Sequence, residues 1–394
     1  MQQIIKPFEF GIPQEIHFGE TVLDKLPKLL KQAGYASAFL ISDRGLERAG
    51  LPGRVTRLLG ANGIPCTAFC DIQPNPTVAE VDTANAAFAG SGADVIIALG
   101  GGSPMDVAKA VSVIAAHGGS ITQYEGAHKV PSGVIPLFAV PTTAGTGSEV
   151  TAFSVITDTQ RSYKFTVFSY ALLPRCVLLD PTLLLSLPMS VAASTGMDAI
   201  VHAIEAYLSR DASPYTDAMA EKALALLGGN IRQFSACRAE VAAAGAMLLG
   251  SLFAGLAFSR ARLGNVHAMS HPVSAYFHAA HGMANSALLP TVLTYNAISD
   301  SGKYRKIYSC LFGEPGSRFC PQQLIDAVYA LLDGLELPAC LNDLGVTPDK
   351  IPLMAADAMK SGNIQANPRQ STQEQIEVLY HKALERGGYK YGIG

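Results

Sequence analysis

Apolar residues in the first half of the chain come in short blocks, and four of them read as strands: Ser37 to Ser42 (SAFLIS), Val95 to Leu99 (VIIAL), Val134 to Val140 (VIPLFAV) and Cys176 to Leu179 (CVLL). Gly, Pro and Asn punctuate the stretches between them, and the intervening runs have helical spacing. This alternation predicts a parallel sheet with crossover helices. From Pro188 onward the β-branched runs thin out, and Ala, Leu and Met at helical spacing take over. The expected architecture is therefore α/β plus all-α, with a dinucleotide-type α/β domain over 1–187 and an all-helical domain over 188–394. Ligands of open α/β sheets collect at the carboxyl ends of the strands, so the cleft between the two halves is the expected site.

One run tests this scheme. Val241 to Ser259 (VAAAGAMLLGSLFAGLAFS) is uncharged for almost the length of a membrane span. It is alone, rich in Ala and Gly, and followed at once by arginines, which fits a helix buried among other helices better. Small residues there would let neighbouring helices approach closely.

Composition narrows the class. With 394 residues, 49% apolar and 15% charged, two domains with real cores are expected, and a disordered chain is not. The net charge of -3 offers no basic patch for nucleic acid. Seven scattered cysteines without a C-x-x-C pair read as reduced thiols. The N-terminus, MQQIIKPFEFGIP, resembles neither a signal peptide nor a presequence, so a cytoplasmic location is expected.

The strand ending at Leu99 runs into Gly100, Gly101, Gly102, Ser103, Pro104, Met105 and Asp106, then an apolar helix. Glycines let backbone N–H groups approach a pyrophosphate, and Ser103 with Asp106 forms an S-x-x-D variant of a capping box, with Pro104 suited to the first helical position. An ordinary glycine turn before a capped helix is the plain alternative. A second small-residue loop, Pro141 to Gly147 (PTTAGTG), follows the next strand and adds hydroxyls at Thr142, Thr143 and Thr146. Asp43, at the end of SAFLIS, could accept from an adenosine ribose and repel a 2′-phosphate, favouring NAD over NADP, or could simply cap the next helix. It precedes the glycine loop, unlike the acid of the usual fingerprint.

The second half carries a different signal. Asp198 and His202 are four apart and share a helical face, as metal ligands or a surface ion pair would. Gly264 to Pro290 then holds four of the nine histidines, His267, His271, His278 and His281, in apolar surroundings. A bound cation is the simplest compensation for such a buried cluster. Asp198, His202, His267 and His281 would leave a divalent ion one net positive charge. That charge lowers the pKa of a bound alcohol and polarises an aldehyde. His271, one turn beyond His267, suits a proton carrier.

Together these motifs make the chain resemble the iron-containing (group III) alcohol dehydrogenases, the family of lactaldehyde reductase and 1,3-propanediol dehydrogenase. The resemblance runs nearly end to end: IHFG at Ile16 to Gly19, GGGSPMD, PTTAGTGSEVT from Pro141 to Thr151, DPTLLLSLP from Asp180, both histidine segments, and NPR at Asn367. It implies metal ligands at Asp198, His202, His267 and His281, with His271 near the substrate. Cofactor contacts are implied at Asp43, Asn75, Gly101, Gly102, Ser103, Thr142, Thr143, Thr151, Lys164 and Leu183, and an apolar substrate pocket at Phe153, Phe258 and Leu263. His278 adds an imidazole between the third and fourth expected ligands.

The expected activity is hydride transfer between NAD(H) and a small alcohol or aldehyde. Fe(II) is the metal the family implies, and Zn or another divalent ion also suits the donors. A homo-oligomer is implied as well. Two rivals share the plan: a lyase like dehydroquinate synthase, disfavoured because Gly264 to Pro290 has no Arg or Lys for an anionic substrate, and a zinc polyol dehydrogenase of the glycerol type, disfavoured by four ligands rather than three.

Overall fold

A computed structural model describes residues 8–161, 163–237 and 239–387. It divides into two compact units. Gly11–Ser186 is built on a parallel six-stranded sheet of order β1-β9-β6-β4-β2-β3. Its strands are β1 (Glu15–Phe18), β2 (Ala38–Asp43), β3 (Cys66–Ile72), β4 (Val95–Gly100), β6 (Leu137–Pro141) and β9 (Cys176–Leu179). Helices α1 (Leu26–Gln32), α2 (Arg44–Arg48), α3 (Leu51–Ala61), α4 (Val78–Ser91) and α5 (Gly102–His117) fill the connections. Strands β4, β6 and β9 are buried along their whole length, and β2 is buried up to Asp43. Burial on both faces explains why they read as unbroken apolar runs. The edge strands β1 and β3 are largely exposed and mixed in polarity, and they left no such signal.

The same unit holds a second sheet that the apolar blocks did not announce. Strand β5 (Gly126–Ala127) pairs with β8 (Tyr163–Phe168), which forms an antiparallel hairpin with β7 (Phe153–Asp158). Polar and apolar residues alternate here because much of the hairpin is only half-buried. The α/β unit is therefore not purely parallel.

The other unit runs from Leu187 onward and takes in residues 8–10, so the expected division after residue 187 needs an exception at the start of the chain. Phe10 stacks on Tyr215 at 4.3 Å between ring centroids, which ties that segment to the helices. The described residues after β9 form no strand. They fold into α6 (Met189–Leu208), α7 (Pro214–Ala236), α8 (Val241–Ala261), α9 (Asn265–Phe277) and α10 (His281–Asn296), followed by α11 (Lys303–Phe312), α12 (Pro321–Gly334), α13 (Ile351–Ala358), α14 (Asn363–Ala366) and α15 (Gln373–Ala383).

Helix α8, the one described helix long and apolar enough to cross a membrane, packs against α6 and α7 and is mostly buried. Small residues make that packing close. A Cβ on Gly250 would come within 2.7 Å of Leu227, and one on Gly196 of α6 within 2.7 Å of Met247.

Candidate functional site

In the helical unit, α6 presents Asp198, His202 and Glu205 at intervals of four and three, a single helical face. Asp198 and His202 are buried, as is His267 on α9. His281 opens α10. Its neighbour Gly282 is required there, because a Cβ would collide with the Ser194 carbonyl of α6. The H-G pair thus lets α10 start hard against α6 and delivers the His281 ring to Asp198.

The ligand atoms of Asp198, His267 and His281 all lie within 4.8 Å of one another. Asp198 Oδ1 is 3.7 Å from Nε2 of both His267 and His281. His202 stands at the margin of this group: its Nδ1 is 3.9 Å from Asp198 Oδ2, and its ring stacks on His267 at 4.5 Å. His278 is exposed at the C-terminus of α9, with φ of 56°, outside the group. The half-buried His271 ring lies 5.3 Å from that of His281 and 6.4 Å from that of His267.

Two further residues enter that the spacing of histidines did not reveal. Asn285, four residues after His281 on α10, donates from Nδ2 to Asp198 Oδ1 at 2.6 Å, and the same atom is 3.2 Å from His267 Nε2 and 3.3 Å from His281 Nε2. Its Oδ1 is buried without a hydrogen-bond partner. Glu205 Oε2 lies 2.7 Å from His267 Nδ1. The i, i+4 and i, i+7 intervals from His281 and Asp198 were the available signals.

The electrostatics of this group call for a cation. Burial alone would raise the Asp198 carboxyl, but His202 and His281 by charge and His267 by hydrogen bond more than reverse that and hold it well below the usual carboxylate range. Burial likewise works to lower His267, and the carboxylates of Asp198 and Glu205 overturn it, pushing the ring up to about 9. A carboxylate and imidazole nitrogens converging on one point, where an amide N–H now sits, suit a divalent ion that displaces a proton on binding. Glu15, His17 and Cys176 also bring ligand atoms together at the sheet edge. There burial pushes the Cys176 thiol up to about 12, which disfavours the thiolate a metal needs, and Glu15 is exposed.

Phe258 borders the metal-type group. It stacks on His202 at 4.5 Å, and Leu263 is buried just before α9. Phe153, in the α/β unit, is half-buried on β7 against Phe168, 5.0 Å between centroids.

In the α/β unit the two small-residue loops follow the adjacent strands β4 and β6 and pack on each other. A Cβ on Gly101 would come within 3.0 Å of Thr143 Oγ1, and one on Gly102 within 3.0 Å of Thr146 Cγ2. Buried Thr142 donates its N–H to the Gly100 carbonyl at 3.1 Å. The proposed capping box does not form. Helix α5 begins at Gly102, Gly101 is its N-cap, and no side chain bonds the first turn. Ser103 and Pro104 consequently lie inside the helix, and its first N–H groups carry no side-chain cap, an arrangement suited to phosphate.

The hairpin supplies the rest. Lys164 of β8 donates to Asn75 Oδ1 at 2.6 Å, and Asn75 has the left-handed φ of 58°. Lys109 of α5 is fully buried, its Nζ ringed by the carbonyls of Ser148, Thr151 and Phe153 and the hydroxyls of Ser148 and Thr151, at 2.7 to 3.3 Å. The Thr151 hydroxyl is thus turned to Lys109. Leu183 is buried in the short helical turn after β9. Asp43 caps α2, accepting from Leu46 N–H at 2.9 Å.

A sequence model described as "Iron-containing alcohol dehydrogenase" matches residues 13–181, and one described as "Fe-containing alcohol dehydrogenase family, C-terminal" matches 192–384. The chain is 36% identical to 1,3-propanediol dehydrogenase of Klebsiella pneumoniae, covering 96% of this chain and 99% of that one. It is 35% identical to lactaldehyde reductase of Escherichia coli (strain K12), covering 93% and 97%. The crystal structure of sulfoacetaldehyde reductase from Bifidobacterium kashiwanohense in complex with NAD+ superimposes with a TM-score of 0.87 at 28% identity, covering 96% and 99%.

Proposed function

The chain belongs to the iron-containing alcohol dehydrogenase family, an NAD-linked alcohol and aldehyde oxidoreductase family, and on that premise we propose that it interconverts short, uncharged aliphatic alcohols and their aldehydes. The observation that carries this reading is the convergence of buried Asp198 and His267 with half-buried His281 beside the apolar Phe258. With His202 at its margin, this set would hold the divalent ion, Fe(II) by family and Zn by donor chemistry. Such an ion supplies Lewis-acid polarisation of the substrate oxygen.

The chain's own residues do the remainder. Asp198 gives the set its one negative charge, and Asn285 orients that carboxylate. Phe258, stacked on His202, keeps water from that face of the imidazole. His271 stands near enough to His281 to relay a proton released from the alcohol. In the α/β unit, the start of α5 at Gly101 and Gly102, without a side-chain cap, offers its N–H groups to a pyrophosphate, and Asn75 with Lys164 offers further polar contacts.

The test is consumption of NADH by anaerobic chain loaded with Fe(II), across a panel of short neutral aldehydes with one anionic aldehyde for contrast. Turnover on the neutral aldehydes, falling steeply on the anionic one, is expected. No NADH consumption across the panel would sink the reading.

A further inference from the structure

Helix α9 starts without a capping side chain of its own: Gly264 is its N-cap, and no side chain of that residue can satisfy the first N–H groups. Two distant side chains do so instead. Asn367 Oδ1 accepts from Asn265 N–H at 3.1 Å, and Glu205 accepts from Val266 N–H at 2.7 Å through Oε1 and from His267 N–H at 3.3 Å through Oε2. Gly264 leaves room for both, since a Cβ there would lie 2.8 Å from Asn367 Oδ1 and 2.9 Å from Glu205 Oε1.

Of the two, Glu205 also reaches a histidine ring. Its Oε2 meets the His267 ring at Nδ1, 2.7 Å away, and both side chains are buried. A carboxylate only accepts, so Nδ1 must carry the proton and the lone pair of the neutral ring must lie on Nε2. Nε2 is the atom turned toward Asp198 and Asn285.

We infer that Glu205 is a positioning residue for the metal: it fixes the tautomer and orientation of His267 so that Nε2 presents its lone pair to the ion. This rests on the metal site proposed above and adds to it a residue that is no ligand. Glu205 thereby couples the fold to the chemistry, since the oxygens that start α9 also orient its histidine. Outer carboxylates of this kind tune metal affinity by about 10- to 100-fold.

Glu205→Gln is the sharpest variant, because an amide N–H facing Nδ1 would favour the opposite tautomer, with a proton on Nε2. Zn2+ affinity of the full metal-free chain would be measured by competition with a chelating dye, for the unmodified chain, Glu205→Gln, Glu205→Asp and Asn367→Ala. Asn367→Ala removes a helix-start bond without touching His267, and because Asn367 also bonds Asn296 and the Arg369 carbonyl, its effect sets an upper bound on the loss due to capping. Thermal melting of each metal-free variant reports the structural effect separately.

The expected result is Zn2+ affinity about 10- to 100-fold weaker in Glu205→Gln, a smaller loss in Glu205→Asp, which keeps the charge, and less than about threefold in Asn367→Ala. In 15N-histidine spectra of the zinc-loaded chain, the Nδ1–H signal of His267 should be present and should disappear on Glu205→Gln. Unchanged affinity in Glu205→Gln, or an equal loss in Asn367→Ala, would overturn the inference and leave Glu205 as a helix cap. If Glu205→Gln does not fold, the comparison of Glu205→Asp with Asn367→Ala decides on the same criterion. Failure of the unmodified chain to bind Zn2+ through Asp198, tested with Asp198→Asn, would instead overturn the metal-site reading beneath it.

Discussion

Asp106, Lys109, Glu149 and Lys164 in the α/β unit, and Asp198, His202, His267 and His281 in the helical unit, are both clusters of ionisable side chains withdrawn from water, yet their carboxyls respond in opposite directions. In the first, desolvation wins: Asp106, half-buried as a whole, is pushed up and its partner Lys109 down, while buried Glu149 is pushed up to about 7 and Lys164 down to about 8. In the second, the surrounding imidazoles win, and Asp198 stays ionised. The difference lies in what each cluster can satisfy internally. The first has matched acids and bases, and Lys109 meets backbone carbonyls on every side. The second has more converging acceptor atoms than protons to share, and Asn285 bridges three of them with one amide nitrogen. The first cluster balances its acids and bases among themselves, whereas in the second a divalent ion can take the place of the imidazole protons.

The comparison breaks most visibly at Asp198. Asp198→Asn keeps the shape but removes the only formal negative charge among the converging donors. The expected loss is about 10³-fold or more in kcat/KM, the equivalent of several kcal/mol of charge stabilisation, together with loss of bound metal in elemental analysis. Full metal content and turnover in this variant would place the cation elsewhere.

Lys109 is the counterpart in the other unit. Lys109→Met should lower stability by about 3 kcal/mol in denaturant melts, because five acceptor atoms and the neighbouring acids lose their shared partner. Metal content should not change. A variant that lost metal but kept its melting midpoint would reverse the roles assigned to the two clusters.

These roles were unequally legible in the sequence. Strands β2, β4, β6 and β9 were readable because burial on both faces demands unbroken apolar runs. Asp198, His202, His267 and His281 were readable because polar residues are conspicuous in apolar surroundings. Lys109 and Glu149 were not, since nothing local distinguishes a buried lysine from a solvated one on a helix. Lys109 is enclosed by the segment from Ser148 to Phe153 that leads into β7, a tertiary contact that no local pattern announces. Ser103 misled for a related reason. A capping box depends on where the helix starts, and α5 starts at Gly102, so that Ser103 falls within its first turn. Glu205 lay in plain view seven residues after Asp198, but its role depends on α9 beginning beside it, a tertiary fact.

The raised carboxyls of the α/β cluster give a pH signature. Glu149 is neutral in folded and unfolded chain alike below about 4.5, and the folded state resists its ionisation up to about 7. Between those values the folded chain binds more protons, so stability falls as pH rises, by up to about 1.4 kcal/mol per pH unit for one group. Glu149→Gln removes the term. Its urea midpoint should exceed that of the unmodified chain at pH 8, and the advantage should vanish near pH 4. A difference that did not vary with pH would mean that Glu149 is not held neutral by the fold.

The smallest effect concerns Asp43, a carboxylate at the rim of the α/β unit that belongs to neither cluster. It caps α2 through Leu46 N–H, yet it also ends β2, where an adenosine ribose is expected to lie. Asp43→Ser separates the two roles, because serine caps a helix about as well as aspartate but carries no charge to repel a 2′-phosphate. Stability should change by less than about 0.5 kcal/mol, while the kcat/KM ratio of NADPH to NADH should rise roughly tenfold, about 1.4 kcal/mol of discrimination. An unchanged cofactor ratio would reduce Asp43 to a helix cap and move the choice of NAD to other residues of the cofactor loops.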